Sequence, residues 1–133
     1  MSDYISRNHS KFLLKFHIIF VCKYRRKLLV GGIGDDMKRI LGKVAEESDF
    51  DIDIAESDKD HIHLLVSAPP KLSPLSIVRR LKQISTRRIY ELHGSSLRKV
   101  FYREYTFWTD GYFVSSIGNV SQEIVRKYIE NQG

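Results

Sequence analysis

The stretch that decides the fold is DIDIAESDKDHIHLLVS, which spans residues 51–67. Its beginning predicts a short strand that carries Ile52 and Ile54 on one face. Residues 58–60 form a polar turn, and residues 61–67 predict a second strand. The middle of the chain is therefore predicted to be β-structure.

Outside this stretch, the spacing of apolar residues predicts further strands and helices. Ser73 followed by Pro74 is typical of a helix start, because it supplies a capping oxygen and then a proline at the first helical position. The predicted elements are a strand over 12–22, a helix over 35–48, a helix from 73 to about 92, a strand in the second half of 101–116 and a last helix opened by Asn119.

The order of these elements is β-α-β-β-α-β followed by a C-terminal helix. The first six match the split βαβ arrangement, so the predicted fold class is α+β, a ferredoxin-like (RRM-like) antiparallel sheet. In that arrangement the first and third strands are neighbours at the centre of the sheet. Because no repeat or linker is visible, residues 1–133 are predicted to form a single domain.

Composition restricts the class of protein. Hydrophobic residues make up 42% of the chain, which is typical of a globular protein. No apolar run is long enough to span a bilayer, and no secretory leader opens the chain, so we expect neither a membrane partner nor export. The single cysteine, Cys22, suits a reducing compartment, and we expect a cytoplasmic protein.

The charge balance is basic, with 22 Lys and Arg against 16 Asp and Glu, a net charge of +6. A basic surface favours a polyanionic partner, of which nucleic acid is the commonest. Charge alone does not separate this hypothesis from a soluble protein that is merely basic. The candidate DNA-binding cations lie after the first strand, on the second helix and just beyond it: Lys23, Arg25, Arg26, Lys27, Arg79, Arg80, Arg87, Arg88, Arg98, Lys99 and Arg103.

Two histidines on the third strand form a candidate metal site. His61 and His63 are two residues apart, so a strand presents both imidazoles on one face, while Ile62 and Leu64 point into the core. Two imidazoles on one rigid strand can serve as ligands of one metal ion. The alternative is a pair of partly exposed structural histidines. His17, on the odd face of the first strand, is expected to approach the same site, as a structural or DNA-contacting residue.

The predicted last helix carries a candidate nucleophile. Tyr128 and Gln132 are four residues apart and share a helical face. A tyrosine phenol activated by a metal-bound phosphate can attack that phosphate, and the Gln132 carbonyl can supply a third metal ligand. Oxygen ligands favour Mg²⁺ or Mn²⁺. For Tyr128 alone, the alternative is an amphipathic packing tyrosine.

Together these motifs resemble the TnpA-type single-tyrosine HUH transposases of the simplest bacterial and archaeal insertion sequences. The likeness is carried by residues 16–27, 58–65 and 125–132 and extends over essentially the whole chain. The resemblance implies that His61, His63 and Gln132 bind a divalent metal and that Tyr128 is the nucleophile. It also implies cleavage and rejoining of single-stranded DNA through a 5′-phosphotyrosine link.

The same resemblance implies partners. Members of this family recognise hairpins at the ends of the element and work as homodimers, in which the tyrosine helix of one subunit can complete the histidine site of the other. The alternatives are a non-catalytic hairpin-binding module of the same fold and a metal-dependent hydrolase that uses water instead of tyrosine. A covalent protein–DNA adduct separates the transposase from both.

Overall fold

The computed structural model describes residues 13–116 and 122–132. Its elements follow the predicted order: β1 (Leu14–Val21), α1 (Gly31–Glu46), β2 (Asp51–Ser57), β3 (His61–Ala68), α2 (Pro74–Val100), β4 (Phe113–Ser116) and α3 (Gln122–Glu130). The four strands form one antiparallel sheet in the order β2-β3-β1-β4. The predicted α+β architecture is therefore confirmed, with β1 and β3 adjacent at the centre of the sheet.

The pairing of β1 with β3 fixes the phase of the central strands. Val21 lies opposite His61 and Ile19 lies opposite His63. Since side chains alternate along a strand, odd-numbered residues of both strands occupy one face of the sheet. The even-numbered residues, including Ile62 and Leu64, occupy the other face.

The two faces of the sheet are covered unequally. The even face packs against α1 and α2 in the main hydrophobic core, whose fully buried members include Ile18, Phe20, Ile62, Leu64, Met37, Leu41, Leu81 and Ile89. The odd face is covered only in part. There, Ile129 of α3 packs on Ile19 and Val21, and Phe113 and Tyr128 flank this small cluster. The histidines therefore lie on the face opposite the main core.

The second strand departs from the predicted pattern. The register of β2 against β3 shifts between Ile52 and Ile54, so the two isoleucines do not share a face. Ile52 packs against the core, whereas Ile54 is 49% exposed and Ala55 takes the inward position. Asp53, at the irregularity, accepts a hydrogen bond from Ser67 of β3. The prediction that Ile52 and Ile54 lie on one face was wrong because a β-bulge reverses the alternation.

The helix boundaries also differ from the predictions. Helix α1 begins at Gly31 instead of residue 35, and α2 continues to Val100 instead of ending near Leu92. His93 has non-helical angles (φ −128°, ψ 24°), and its Nε2 lies 2.6 Å from Asp36 Oδ2 of α1. The apolar stripe resumes beyond this kink at the buried Leu97, which explains the longer helix.

Other predicted features are confirmed or lie outside the described residues. The Ser73 hydroxyl oxygen accepts a hydrogen bond from the Ser76 amide at 3.1 Å, as an N-terminal cap does. Strand β4 is confined to residues 113–116. Phe12, at the predicted start of the first strand, and Asn119, the predicted cap of the last helix, both lie outside the described residues.

Two features correspond to the sequence predictions about the cysteine and about membrane segments. Cys22 is fully buried at the end of β1, and burial raises the pKa of its thiol to about 12. The thiol is therefore protonated at neutral pH and acts as a packing group. Within residues 13–116 and 122–132, no helix is both long and apolar enough to cross a membrane.

The central position of β3 makes its inward residues strong determinants of stability. We expect Leu64→Ala to lower the free energy of unfolding by about 2–5 kcal/mol, because Leu64 is fully buried and its loss leaves a cavity. Urea denaturation measures the change. Leu92→Ala is the matched control, since Leu92 is 57% exposed and its replacement should change stability by less than about 0.5 kcal/mol. Equal losses in the two variants would contradict the assigned phase of β3.

Candidate functional site

Three histidines meet on the odd face of the central strands. His17 Nδ1 and His63 Nε2 lie 2.8 Å apart, within hydrogen-bond distance, and the two ring centroids are 4.9 Å apart. His61 lines the same cavity as both rings. The prediction that His61 and His63 share a face, and that His17 approaches them, is therefore confirmed. The contact follows from the β1–β3 register, which sets these rings on adjacent strands.

His61 is held by a chain of polar contacts. Its Nδ1 lies 2.9 Å from Asp60 Oδ1, and Arg25 Nε donates to Asp60 Oδ2 at 3.2 Å. Burial alone would raise the pKa of Asp60, but the hydrogen bonds from His61 and Arg25 outweigh it and hold that pKa below its ordinary value. An ionised Asp60 is an acceptor for an Nδ1 proton of His61, and this contact orients the ring so that Nε2 is the nitrogen away from Asp60.

His63 is kept in its neutral form. Burial lowers the pKa of its imidazole, and nearby His17 lowers it further, while Glu56 opposes both effects. At neutral pH the ring therefore retains a lone pair, as a metal ligand requires. The His63 imidazole is thus in the protonation state that suits coordination.

The turn after β1 brings Arg25 to this site through an unusual backbone. Tyr24 and Arg25 both have positive φ angles, 59° and 52°, in the left-handed region that side chains other than glycine seldom adopt. The Arg25 amide donates to the Cys22 carbonyl at 2.8 Å, and the guanidinium reaches Asp60. These contacts stabilise the turn and fix the direction in which Arg25 leaves it.

A cavity of about 760 Å³ lies over the histidines. Cations and carboxylates from the β1 turn, the β2–β3 turn and α3 surround it: Arg25, Lys27, Lys59, Arg126, Asp58, Asp60 and Glu130. Arg25 and Lys27 were predicted from the sequence as DNA-binding cations. Lys59, Asp60, Arg126 and Glu130 were not among the predicted site residues, although the four-residue spacing of Arg126 and Glu130 on one helix was a usable signal.

Tyr128 lies on the same face of the sheet, but to one side of the histidines. Its ring packs against Phe113 of β4, with centroids 5.6 Å apart. Its phenol oxygen is buried, and burial raises the pKa of the phenol, while the nearby Thr109 side chain lowers it to a smaller extent. Among the described residues, the Tyr128 hydroxyl and Thr109 Oγ1 are the two buried side-chain polar atoms that have no hydrogen-bond partner.

Gln132 accompanies Tyr128. A β-carbon placed on Gly111 would lie 3.7 Å from the phenol oxygen and 3.9 Å from Gln132 Oε1. Tyr128 and Gln132 therefore approach the same glycine as predicted, although Gln132 lies in a turn beyond the end of α3 at Glu130 rather than on the helix. However, neither residue is among those that line the histidine cavity. Across residues 13–116 and 122–132, no group of three or more His, Cys, Asp or Glu side chains is arranged to hold a metal ion.

The predicted DNA-binding cations separate into two regions. Lys23, Arg25, Arg26 and Lys27 follow β1, and two of them line the histidine cavity. The cations of α2 lie on the helix that covers the opposite face of the sheet, where Arg80 donates to Ser48 and Arg88 pairs with Glu47. Arg98, Lys99 and Arg103 lie at the end of α2, and Arg103 is placed over the exposed Tyr102 ring.

Comparisons with family models and with known proteins all identify transposases as similar to this chain. The family model described as "Transposase IS200 like" matches residues 10–132. The chain is 37% identical over 132 residues to the transposase for insertion sequence element IS200 of Salmonella typhimurium, covering 99% of this chain and 85% of the relative. It is 31% identical over 119 residues to the ISDra2 transposase TnpA of Deinococcus radiodurans, covering 90% and 84%.

Solved structures share the fold. A crystal structure of a Deinococcus radiodurans R1 protein described as a transposase superposes with a TM-score of 0.84 at 28% identity, covering 92% of this chain and 93% of that one. A REP-associated tyrosine transposase bound to a REP hairpin superposes with a TM-score of 0.56 at 17% identity, covering 88% and 62%. At that identity, the second likeness shows the fold alone.

Proposed function

This chain belongs to the IS200-like transposase family, and from that membership we propose that it cleaves and rejoins single-stranded DNA through Tyr128. The observation that carries the proposal is the pair of imidazoles, His61 and His63, that line one cavity on the open face of the sheet beside the tyrosine helix. As a transposase, the protein acts on DNA. The single-stranded substrate and the phosphotyrosine link are the parts that we propose.

Two of the three proposed metal ligands, His61 and His63, line the cavity, and imidazole is a suitable ligand for a divalent metal. Asp60 occupies Nδ1 of His61 and leaves Nε2 available, an arrangement that is common behind metal-binding histidines. We assign His61, His63 and Gln132 as ligands of Mg²⁺ or Mn²⁺. Such an ion, when bound, would supply positive charge at the target phosphate. His17 shares a hydrogen bond with His63 and is assigned a supporting place beside the ligands.

The proposed step conserves bond energy. The Tyr128 phenol oxygen forms a bond to phosphorus and the bond from phosphorus to the 3′ oxygen breaks, leaving a 5′-phosphotyrosine and a free 3′-hydroxyl. The phenol proton is given up and the departing 3′ oxygen gains one, so the net charge is unchanged. Arg25, Lys27, Lys59 and Arg126 around the cavity are suited to hold the flanking phosphates. A second 3′-hydroxyl can reverse the reaction and join a new strand.

A second copy of the chain is part of the proposal. In one subunit, Tyr128 and Gln132 face Gly111 rather than the histidine cavity, so the two halves of the site are separate. Contribution of α3 by the partner of a homodimer would bring a nucleophile and a third ligand to each histidine pair. Cross-linking at low protein concentration, followed by sizing, tests the assembly.

We propose that hairpins bind to the surface formed by α2 and by the residues that follow its C-terminal end. A distant structural neighbour is bound to a REP hairpin, and this chain presents cations and exposed aromatic residues on that side. Tyr102 is 77% exposed beneath Arg103, and Tyr105 is 65% exposed and in ring contact with Tyr90. Cations next to exposed rings suit unpaired bases and their phosphates.

Asp60 is expected to tune the metal affinity. Asp60→Asn should weaken Mn²⁺ binding by about 10- to 100-fold, because the amide accepts the Nδ1 proton of His61 less well than the carboxylate does. Titration calorimetry measures the dissociation constant. Glu130→Gln is the control, since Glu130 is an exposed carboxylate of the same cavity on another element. Equal Mn²⁺ affinities for Asp60→Asn and Glu130→Gln would show that Asp60 has no role in metal binding.

The proposed function is tested with labelled single strands that carry the ends of an insertion sequence, incubated with Mg²⁺ or Mn²⁺. A protein–DNA band that survives denaturation supports the phosphotyrosine reaction. Strand scission without that band would indicate a hydrolase that uses water. Binding without scission would indicate a hairpin-binding module. Either of the last two outcomes overturns the proposal.

A further inference from the structure

The segment from Thr109 to Gly111 lies between α2 and α3. From the α2 side, Lys82 Nζ donates to the Thr109 carbonyl at 2.7 Å and to the Gly111 carbonyl at 2.6 Å. Lys82 is partly buried, with Nζ 5.5 Å from the centre of the Phe20 ring. From the α3 side, the Tyr128 phenol oxygen lies close enough to Gly111 that a β-carbon there would be 3.7 Å from it, and it lies near the Thr109 side chain. One short segment therefore contacts both a lysine of α2 and the tyrosine of α3.

We propose that Lys82 is a positioning residue for Tyr128. By holding the carbonyls of Thr109 and Gly111, Lys82 fixes the segment against which the phenol rests, and this contact keeps the tyrosine withdrawn from the histidine cavity. The inference rests on the proposed function only in its use of Tyr128 as the nucleophile. The contacts themselves do not depend on that assignment.

The rest position of Tyr128 depends mainly on packing, because its hydroxyl and the nearby Thr109 Oγ1 make no hydrogen bond of normal geometry within the described residues. Its hydroxyl is buried without a partner in the described part of the chain, and so is Thr109 Oγ1. A buried polar atom that lacks a partner destabilises the arrangement that buries it. The ring is held by Phe113 and by the segment beneath it. Release of that segment is therefore expected to release the tyrosine.

Lys82 also lines a second cavity, of about 420 Å³, together with Arg79, Gln83, Tyr105 and Trp108. This cavity lies on the α2 side, where we place DNA binding. A DNA phosphate that enters it is a stronger acceptor for Lys82 Nζ than a neutral carbonyl is. Burial lowers the pKa of Lys82 to about 8, Asp110 opposes this shift, and Lys23 adds to it. Competition for Nζ connects DNA binding on one face to the tyrosine on the other.

The test measures the accessibility of the Tyr128 ring. Tetranitromethane nitrates exposed tyrosines, and mass spectrometry of peptides gives the extent at each site. In Lys82→Met, which keeps the apolar stem but removes the donor, nitration of Tyr128 should rise by about fivefold relative to the wild type. Lys82→Arg keeps donors and should restore most of the protection. Arg79→Met, in the same cavity, should leave Tyr128 protected.

Tyr90 provides an internal reference, because it is buried in the main core. General loosening of the fold would raise nitration of Tyr90 and Tyr128 together, whereas loss of the tether should raise only the ratio of Tyr128 to Tyr90. An unchanged ratio in Lys82→Met overturns the proposal. Addition of a non-cleavable hairpin strand should raise the nitration ratio of Tyr128 to Tyr90 in the wild type. In Lys82→Met, where the tether is already absent, the same strand should change this ratio little.

A second pair of variants leaves Lys82 in place. A β-carbon on Gly111 makes ordinary contact with the phenol oxygen at 3.7 Å, so Gly111→Ala should preserve the rest position. Gly111→Val adds methyl groups at that contact. It should therefore raise the nitration of Tyr128 relative to Tyr90, as Lys82→Met does. Protection retained in Gly111→Val would overturn the proposed contact. A raised ratio in a protein that forms no covalent adduct would keep Lys82 as a positioning residue and refute Tyr128 as the nucleophile.

Discussion

Tyr128→Phe should abolish the covalent protein–DNA adduct, a loss of more than about 10³-fold in the rate of adduct formation. Phenylalanine lacks the oxygen that would bond to phosphorus but keeps the ring that packs on Phe113. The removed hydroxyl is buried without a partner in the described residues, so the variant should be as stable as the wild type or slightly more stable. Denaturing electrophoresis and thermal unfolding measure the two effects.

The comparison variant is Tyr102→Phe. Tyr102 is 77% exposed at the end of α2, so its hydroxyl should be dispensable for adduct formation. Binding of hairpin strands should be nearly unchanged in Tyr128→Phe, because the phenol lines neither the histidine cavity nor the cavity beside Lys82. An adduct that persists in Tyr128→Phe would show that another side chain is the nucleophile.

His61→Ala should remove Mn²⁺ binding and metal-dependent cleavage together, each by roughly 10³-fold or more. His61 lines the cavity, and its Nδ1 contacts Asp60, which in turn is held by Arg25. Alanine leaves that polar support in place but removes the coordinating nitrogen. Calorimetric titration with Mn²⁺ and a cleavage assay with labelled strands measure the two losses on the same preparation.

His93→Ala is the matched control for a histidine substitution. His93 is partly buried and contacts Asp36, but it lies at the kink of α2, on the other side of the sheet from the cavity. Its loss should lower thermal stability and leave Mn²⁺ affinity unchanged. Tight Mn²⁺ binding by His61→Ala would refute His61 as a ligand, and equal losses in both variants would indicate a general effect on folding.

The local periodicity of the sequence was sufficient for the order of elements and for the histidine pair. Alternation along β3 places His61 and His63 opposite Ile62 and Leu64 whatever the rest of the chain does, because it depends only on strand geometry. The approach of His17 required one further assumption, that β1 and β3 are in phase. The ferredoxin-like order supplies the adjacency, and the observed register supplies the phase.

The remaining features depend on tertiary contacts. The bulge beside Ile54 is stabilised by the contact of Asp53 with Ser67, and the kink of α2 at His93 lies where His93 contacts Asp36. Neither contact has a local pattern in the sequence. The contact of Asp60 with Arg25 joins residues 35 positions apart, so it depends on the register of β1 and β3. The position of Tyr128 beside Gly111 likewise depends on how α3 lies across the sheet.

The left-handed turn at Tyr24 and Arg25 restricts how this part of the gene can change. The guanidinium reaches Asp60 because the turn has a fixed number of residues after β1 and a fixed handedness. An insertion or deletion here would redirect Arg25 away from Asp60, while exchange of the exposed Tyr24 for glycine would suit the backbone. Related proteins should therefore vary in the composition of this turn and agree in its length.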